Sequence, residues 1–267
     1  MFNHIPVEMG YSDLNTISDD GRYYIGPDGD RYPSITTVLS ILSGTSLAEW
    51  RARVGEGEAN RISKYAANRG TAVHEIIEKY LKNDSDYKLG VMPHIIASFN
   101  SVKPILDKRV GDIYGMETAL YSDHLGIAGR VDCVCMFDGK LSIVDFKTSM
   151  KPKKRDWVKT YFLQESGYAV MWEERTKMPV TQLVTIISVD NEKPEVYIEH
   201  RDDWANTLIE TIKKFKDQKE GLRLKGLAST SLEYCCQSSC ESDDTKNYIN
   251  YLENQLTEMR KLCAIRV

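Results

Sequence analysis

Asp132, Asp145 and Lys147 are the residues of this sequence whose types and spacing could do chemistry together. They lie in GRVDCVCMFDGKLSIVDFKTS, residues 129–149, within two runs that otherwise read as buried β-strands. Two carboxylates are what a hard divalent cation such as Mg²⁺ takes from a protein when waters and a phosphate oxygen complete its shell. A lysine two residues after the second acid would face the same phosphate.

The element that must position them is a β-hairpin. Asp138-Gly139 suits a two-residue type I′ turn, with strand-like runs on both sides. Partners in such a ladder keep a constant sum of residue numbers, so pairing Phe137 with Lys140 puts Asp132 opposite Asp145. Alternation then predicts that Asp132, Asp145 and Lys147 share one face with Leu141 and Ile143. Two unit charges about 5 Å apart repel by about 3 kcal/mol at an effective dielectric near 20, which calls for a compensating cation. The bland alternative is a solvated face on which Lys147 pairs with one of two unrelated acids.

Composition narrows the setting. At 267 residues and 42% hydrophobic, the chain can build one large core with an appended segment. A net charge of −4 argues against an indiscriminately basic nucleic-acid binder. One local run, KTSMKPKKRDWVK at residues 147–159, carries six Lys or Arg against one Asp. No stretch is apolar over the roughly 18 residues of a membrane span, and MFNHIPVEMG resembles neither a secretory nor a mitochondrial presequence. A soluble, cytoplasmic protein with reduced thiols is expected, with Cys133 and Cys135 as small core residues on the face opposite Asp132.

Along the chain, GRYYIGPDGDRYP reads as a small hairpin, and Ser34 as the cap of a helix through ITTVLSIL. SLAEWRARVGEGEANRISKYAANRG reads as helical and polar on most sides; it could be a surface helix pair or could grip a substrate. After Gly70, the spacing of Val73, Ile76, Ile77, Tyr80 and Leu81 predicts a helix with a buried stripe, bordered by His74 and Glu78. A mixed segment spans 84–112. Strands near 115–122, 127–137 and 140–147, a helix at 156–175, strands near 181–189 and 194–199 and a helix at 202–218 make an α/β arrangement with a mixed central sheet.

In that order RGTAVHEIIE, GRVD, VDFKTS and QESGY resemble the successive motifs of the RecB-type branch of the PD-(D/E)XK nucleases. With YPSITTVL, they are most similar to the group of mitochondrial genome maintenance exonucleases and their phage and bacterial relatives. The resemblance covers roughly residues 20–218. It implies a restriction-endonuclease-like core, and a metal ion, Mg²⁺ or Mn²⁺, on His74, Asp132, Asp145 and the backbone carbonyl of Phe146. It also implies Lys147 positioning or activating water, with Gln164 and Tyr168 leaning over the site. Glu78 and Glu117 are candidates for a second metal, or plain surface carboxylates. Val131 stands where the superfamily name has proline, and Asp145 where glutamate is more frequent. A four-cysteine iron–sulfur cluster, known in some members, is not expected: CCQSSC supplies Cys235, Cys236 and Cys240, but no cysteine precedes Cys133.

The implied activity is a metal-dependent DNA exonuclease preferring single strands with free ends, in replication, repair, recombination or phage DNA metabolism. The compartment is then the cytoplasm of a bacterial or phage-infected cell. The alternatives are a structure-specific or double-strand-end nuclease, and a catalytically silent nucleic-acid-binding module. Arg51, Arg61, Arg69, Arg130, Lys151, Lys153, Lys154 and Arg155 are the candidate DNA contacts. Three regions are expected: 1–69, a hairpin and a helical region that could arch over a threaded strand; 70–220, the nuclease core; and 221–267, a linker and a helix. In the last, Ile249, Leu252, Leu256, Met259 and Cys263 follow a coiled-coil rhythm, so residues 248–265 either pack back on the core or bind a partner or a second copy.

Overall fold

The computed structural model describes residues 1–237. Met1–Phe215 forms one compact unit and the residues from Lys216 belong to a second. The side chains of Cys235, Cys236 and Cys240, and the whole 248–265 segment, lie outside the described residues.

The chain opens with a three-stranded antiparallel sheet, β1 (Asn15–Asp19), β2 (Gly21–Ile25) and β3 (Arg31–Pro33). Ser34 caps α1 (Ile35–Leu39), its hydroxyl oxygen accepting the Thr37 N–H at 3.0 Å. Two helices follow, α2 (Gly44–Val54) and α3 (Glu56–Leu81), separated by Gly55 at φ +89°. α3 is continuous through Gly70, so the boundary expected at 69/70 falls inside one helix. Val73, Ile76, Ile77 and Leu81 are buried as their spacing requires, whereas between Glu56 and Asn68 only Ala59 is buried.

The mixed segment contains α4 (Pro93–Arg109), with Ile95, Phe99, Val102 and Leu106 buried at i, i+4, i+7 and i+11. Pro104 inside this helix disguises the pattern. The central sheet then runs β4 (Val110–Ser122), β5 (Ile127–Phe137), β6 (Lys140–Ser149), α5 (Lys159–Thr176), β7 (Gln182–Val189) and β8 (Glu195–His200), closing with α6 (Arg201–Gln237). Spatial order follows chain order, and all neighbours are antiparallel except β6 and β7, which α5 joins in parallel. The sheet is therefore mixed, as expected.

One face of this sheet packs on α1 and α5, through residues such as Ile143, Val131, Val134, Leu163 and Trp172. The other packs on α3 and α4, through Val144, Phe146, Cys133, Val73, Ile77 and Phe99. Cys133 and Cys135 are buried free thiols on that second face. Val180, Leu183 and Leu208 complete the first core, which fixes α5 along β6 and β7. The site described below lies wholly within Met1–Phe215.

Candidate active site

The β5–β6 hairpin turns as its sequence requires, with Asp138 at φ +50° and Gly139 at +76°, the two left-handed positions of a type I′ turn. The ladder keeps the expected register from Phe137↔Lys140 to Cys133↔Val144. There it departs. Val131 and Val134 both pack toward α5, while Cys133 faces α3, so the alternation of β5 slips once at Asp132. In an unbroken ladder the next hydrogen bond would run from the Phe146 N–H to Val131. Instead that N–H donates to Asp132 Oδ2 at 2.8 Å. Asp132 is thus turned toward His74 of α3, Nδ1 to Oδ2 3.5 Å, rather than lying on the Asp145 face.

The slip has a counterpart on β4. Register pairs Met116 with Cys133 and Thr118 with Val131, which places Glu117 across from Asp132. Glu117 has φ +48°, a left-handed conformation that costs a non-glycine residue energy and that concentrates at functional sites. Ligand atoms of His74, Glu117 and Asp132 all lie within 4.8 Å of one another. The His74 Nε2 lies 2.6 Å from the Phe146 carbonyl oxygen. A carbonyl only accepts, so Nε2 carries the proton, and in the neutral ring the Nδ1 lone pair points to the side of Asp132, where a metal ion could take it.

Asp145, next to Phe146 on β6, is 1% exposed and close enough to Asp132 and His74 for their charges to act on it. Its Oδ1 accepts from the Gln164 side-chain amide at 3.2 Å, and that amide also donates to the Tyr168 hydroxyl at 3.1 Å. Lys147 Nζ forms an ion pair with Oδ2, yet that oxygen has no hydrogen-bond partner. The Lys147 ammonium also lies 5.2 Å from the centre of the Tyr161 ring. Tyr161, Gln164 and Tyr168 are spaced i, i+3 and i+7, which puts them on one stripe of α5.

The charge balance of the site favours a cation. Burial, with Asp132 and Glu78 adding repulsion, pushes Glu117 up to about 7. Burial raises Asp145 to about 6; Lys147 opposes the shift and Asp132 adds to it. Burial alone would lower Lys147, but Asp145 and Asp132 outweigh it and the ammonium is strengthened. A buried carboxylate beside three converging ligand residues fits a hard divalent ion. His74, Glu117, Asp132 and Asp145 are the side chains that would hold it. Glu78 is held by Lys82 at 2.5 Å, near enough for its charge to act on Glu117.

The candidate DNA contacts are dispersed and mostly engaged. Arg51 of α2 donates to Asn60 of α3, and Arg61 makes a two-pronged contact with Glu58 at 2.8 and 2.6 Å. Arg69 is buried and paired with Asp190 at 2.5 Å. Arg130 donates to Asp13 at 2.7 Å and to the Glu117 carbonyl, and so supports the backbone of that strained residue. Lys151 is exposed, and the Lys153 N–H donates to Glu195. Lys154 lies over the Trp157 ring, and Arg155 is gripped by Glu199 at 2.8 and 2.6 Å.

Two further residues escape a motif-based reading. Tyr161 carries a signal in its spacing from Gln164. Glu165 carries none: it is fully buried, bonded by the Thr185 hydroxyl, and raised well above the usual carboxylate range by burial and then by Asp145.

The chain is similar to several known proteins. The family model for the PD-(D/E)XK nuclease superfamily matches residues 91–245. The human mitochondrial genome maintenance exonuclease 1 is 31% identical over 130 residues, which cover 45% of this chain and 38% of that protein. Its mouse counterpart is 29% identical over 129 residues, with the same coverage. The matched stretch therefore spans well under half of those relatives. A crystallised exonuclease candidate from Eubacterium rectale is 14% identical, covers 57% of this chain and 68% of its own, and superposes with a TM-score of 0.38. No described helix is long and apolar enough to cross a membrane. With more than half its length matched by the family model, and with the acids and lysine of the motif on adjoining strands, the chain belongs to the PD-(D/E)XK nuclease superfamily.

Proposed function

We propose that this protein is a divalent-metal-dependent exonuclease that hydrolyses phosphodiester bonds of single-stranded DNA from a free end. The observation that carries the reading is the convergence of His74, Glu117 and Asp132 beside the buried Asp145–Lys147 pair. A divalent cation, Mg²⁺ or Mn²⁺, supplies Lewis acidity toward the phosphate when bound. Hydrolysis joins a water oxygen to phosphorus as the bond from phosphorus to the leaving ester oxygen breaks. The Lys147 ammonium orients that water and offsets the negative charge growing on the phosphate oxygens. Asp145 keeps the lysine in place, and Gln164, braced by Tyr168, keeps Asp145 in place. His74 is oriented by the Phe146 carbonyl, whose peptide unit leads into Lys147.

The preference for free ends rests on α2 and the first half of α3. Residues 56–68 are exposed nearly all round and carry Arg61 and Lys64, with Arg51 and Arg53 on the preceding helix. A helix polar on most sides and covered by little of its own protein suits a bridge over a bound strand. If a strand must be threaded beneath it, a covalently closed single-stranded circle resists digestion while the same sequence in linear form is consumed. Rapid nicking of the circle would replace the exonuclease reading with an endonuclease on the same core. Digestion of duplex ends at the rate of single strands would remove the strand preference.

A further inference from the structure

We infer that Trp157 is a base-stacking platform for the substrate strand, set beside the cleavage site at the entrance to α5. Trp157 ends a 3-10 turn, Arg155–Trp157, that leads into α5. Trp157 lies two residues before α5, whose Tyr161, Gln164 and Tyr168 form the stripe that reaches Asp145. Exposure falls from 63% at Trp157, through the half-buried Tyr161 and Gln164, to 3% at Tyr168. α5 rises about 7.5 Å from Lys159 to Gln164, so Trp157, just ahead of Lys159, is a few nucleotides from the phosphate being cut.

The turn is pinned, so the indole is presented at low entropic cost. The Trp157 N–H donates to the Lys154 carbonyl at 2.8 Å, and Val158 beneath it is fully buried. β8 holds the loop from below: Glu195 accepts the Lys153 N–H, the Tyr197 hydroxyl donates to the Lys153 carbonyl at 2.6 Å, and Glu199 grips Arg155. Glu199 and Asp156 neutralise Arg155 and Lys159. Lys154 has its ammonium 5.5 Å from the Trp157 ring centre, a cation for the phosphate next to a surface for the base. Bases of a duplex are already stacked on one another, so an open indole selects a single strand.

This inference rests on the nuclease reading, and its test separates the two. Binding of a fluorescein-labelled oligothymidylate is measured by anisotropy in EDTA, with hydrolysis of the same strand followed in Mg²⁺. Trp157→Ala is expected to weaken binding about tenfold with kcat at saturation preserved, and Trp157→Phe to restore most of the affinity. A series of oligonucleotides with a single abasic site is expected to show one position where wild type loses affinity and Trp157→Ala does not. If wild type binds and cleaves but Trp157→Ala matches it in affinity and abasic profile, stacking is overturned and the nuclease reading stands. If wild type neither binds nor cleaves the strand, both fall.

Discussion

Lys147 reaches back along its own strand to pair with Asp145, so the most deeply buried carboxylate of the site and its neutralising cation are two residues apart on β6. A pair so close in sequence is set by the strand alone and needs no second element to assemble it. What α5 adds is the Gln164 amide on the other carboxylate oxygen.

Breaking that pair from one side is expected to cost more than removing it whole. Lys147→Met leaves a buried carboxylate unpaired and is expected to destabilise the metal-free protein by about 3–5 kcal/mol. Adding Asp145→Asn to it is expected to return most of that loss, because the uncompensated charge is gone. Urea denaturation in EDTA measures these and the Asp145→Asn single variant, and all three variants are expected to be inactive. Additive losses in the double variant would show that the two side chains do not act as a pair.

Gly129 has no freedom to become anything larger. A Cβ there would lie 2.6 Å from Tyr168 Cε1 and 3.2 Å from Ile35 Cγ2. Gly129→Ala is expected to displace Tyr168, release Gln164 from Asp145 and lower kcat by about tenfold or more, with KM little changed. The stability cost of such overpacking is about 1–3 kcal/mol. Steady-state kinetics on a short single strand, with thermal melts, checks this.

Glu117 makes the metal-free protein sensitive to pH. Its folded value, about 7, lies above its ordinary 4.5. A carboxyl group raised in this way contributes stability that is complete below about 4.5 and is lost as pH rises through about 7. In EDTA the melting temperature is therefore expected to fall between about pH 5 and about pH 8, by the equivalent of about 1–3 kcal/mol. Glu117→Gln is expected to flatten that slope, and a divalent cation to reverse it in wild type alone. Equal slopes for the two proteins would remove Glu117 from the cluster.

Much of this was legible in the sequence because the signals were local. The Asp138-Gly139 turn fixed the β5–β6 register, and the Val73, Ile76, Ile77, Leu81 stripe placed His74 on the border of its helix. The slip at Asp132 was not legible, since strict alternation assumes that the ladder takes every backbone N–H, and here a side chain takes that of Phe146. Glu117 was uncertain for the same reason: its place depends on β4 register and a positive φ. Nor does a basic residue reveal its distant partner. Arg69 finds Asp190 and Arg155 finds Glu199 only after the chain has folded.

Whether His74, Glu117, Asp132 and Asp145 with Lys147 form a metal-dependent phosphodiesterase site is decided by one assay. Linear single-stranded DNA is incubated with wild type and with Asp132→Ala, each in Mg²⁺ and in EDTA, with circular dichroism to confirm that the variant is folded. Wild type is expected to degrade the strand only in Mg²⁺, and folded Asp132→Ala to be slower by about a hundredfold or more. Degradation that persists in EDTA, or a folded Asp132→Ala as fast as wild type, would contradict the account.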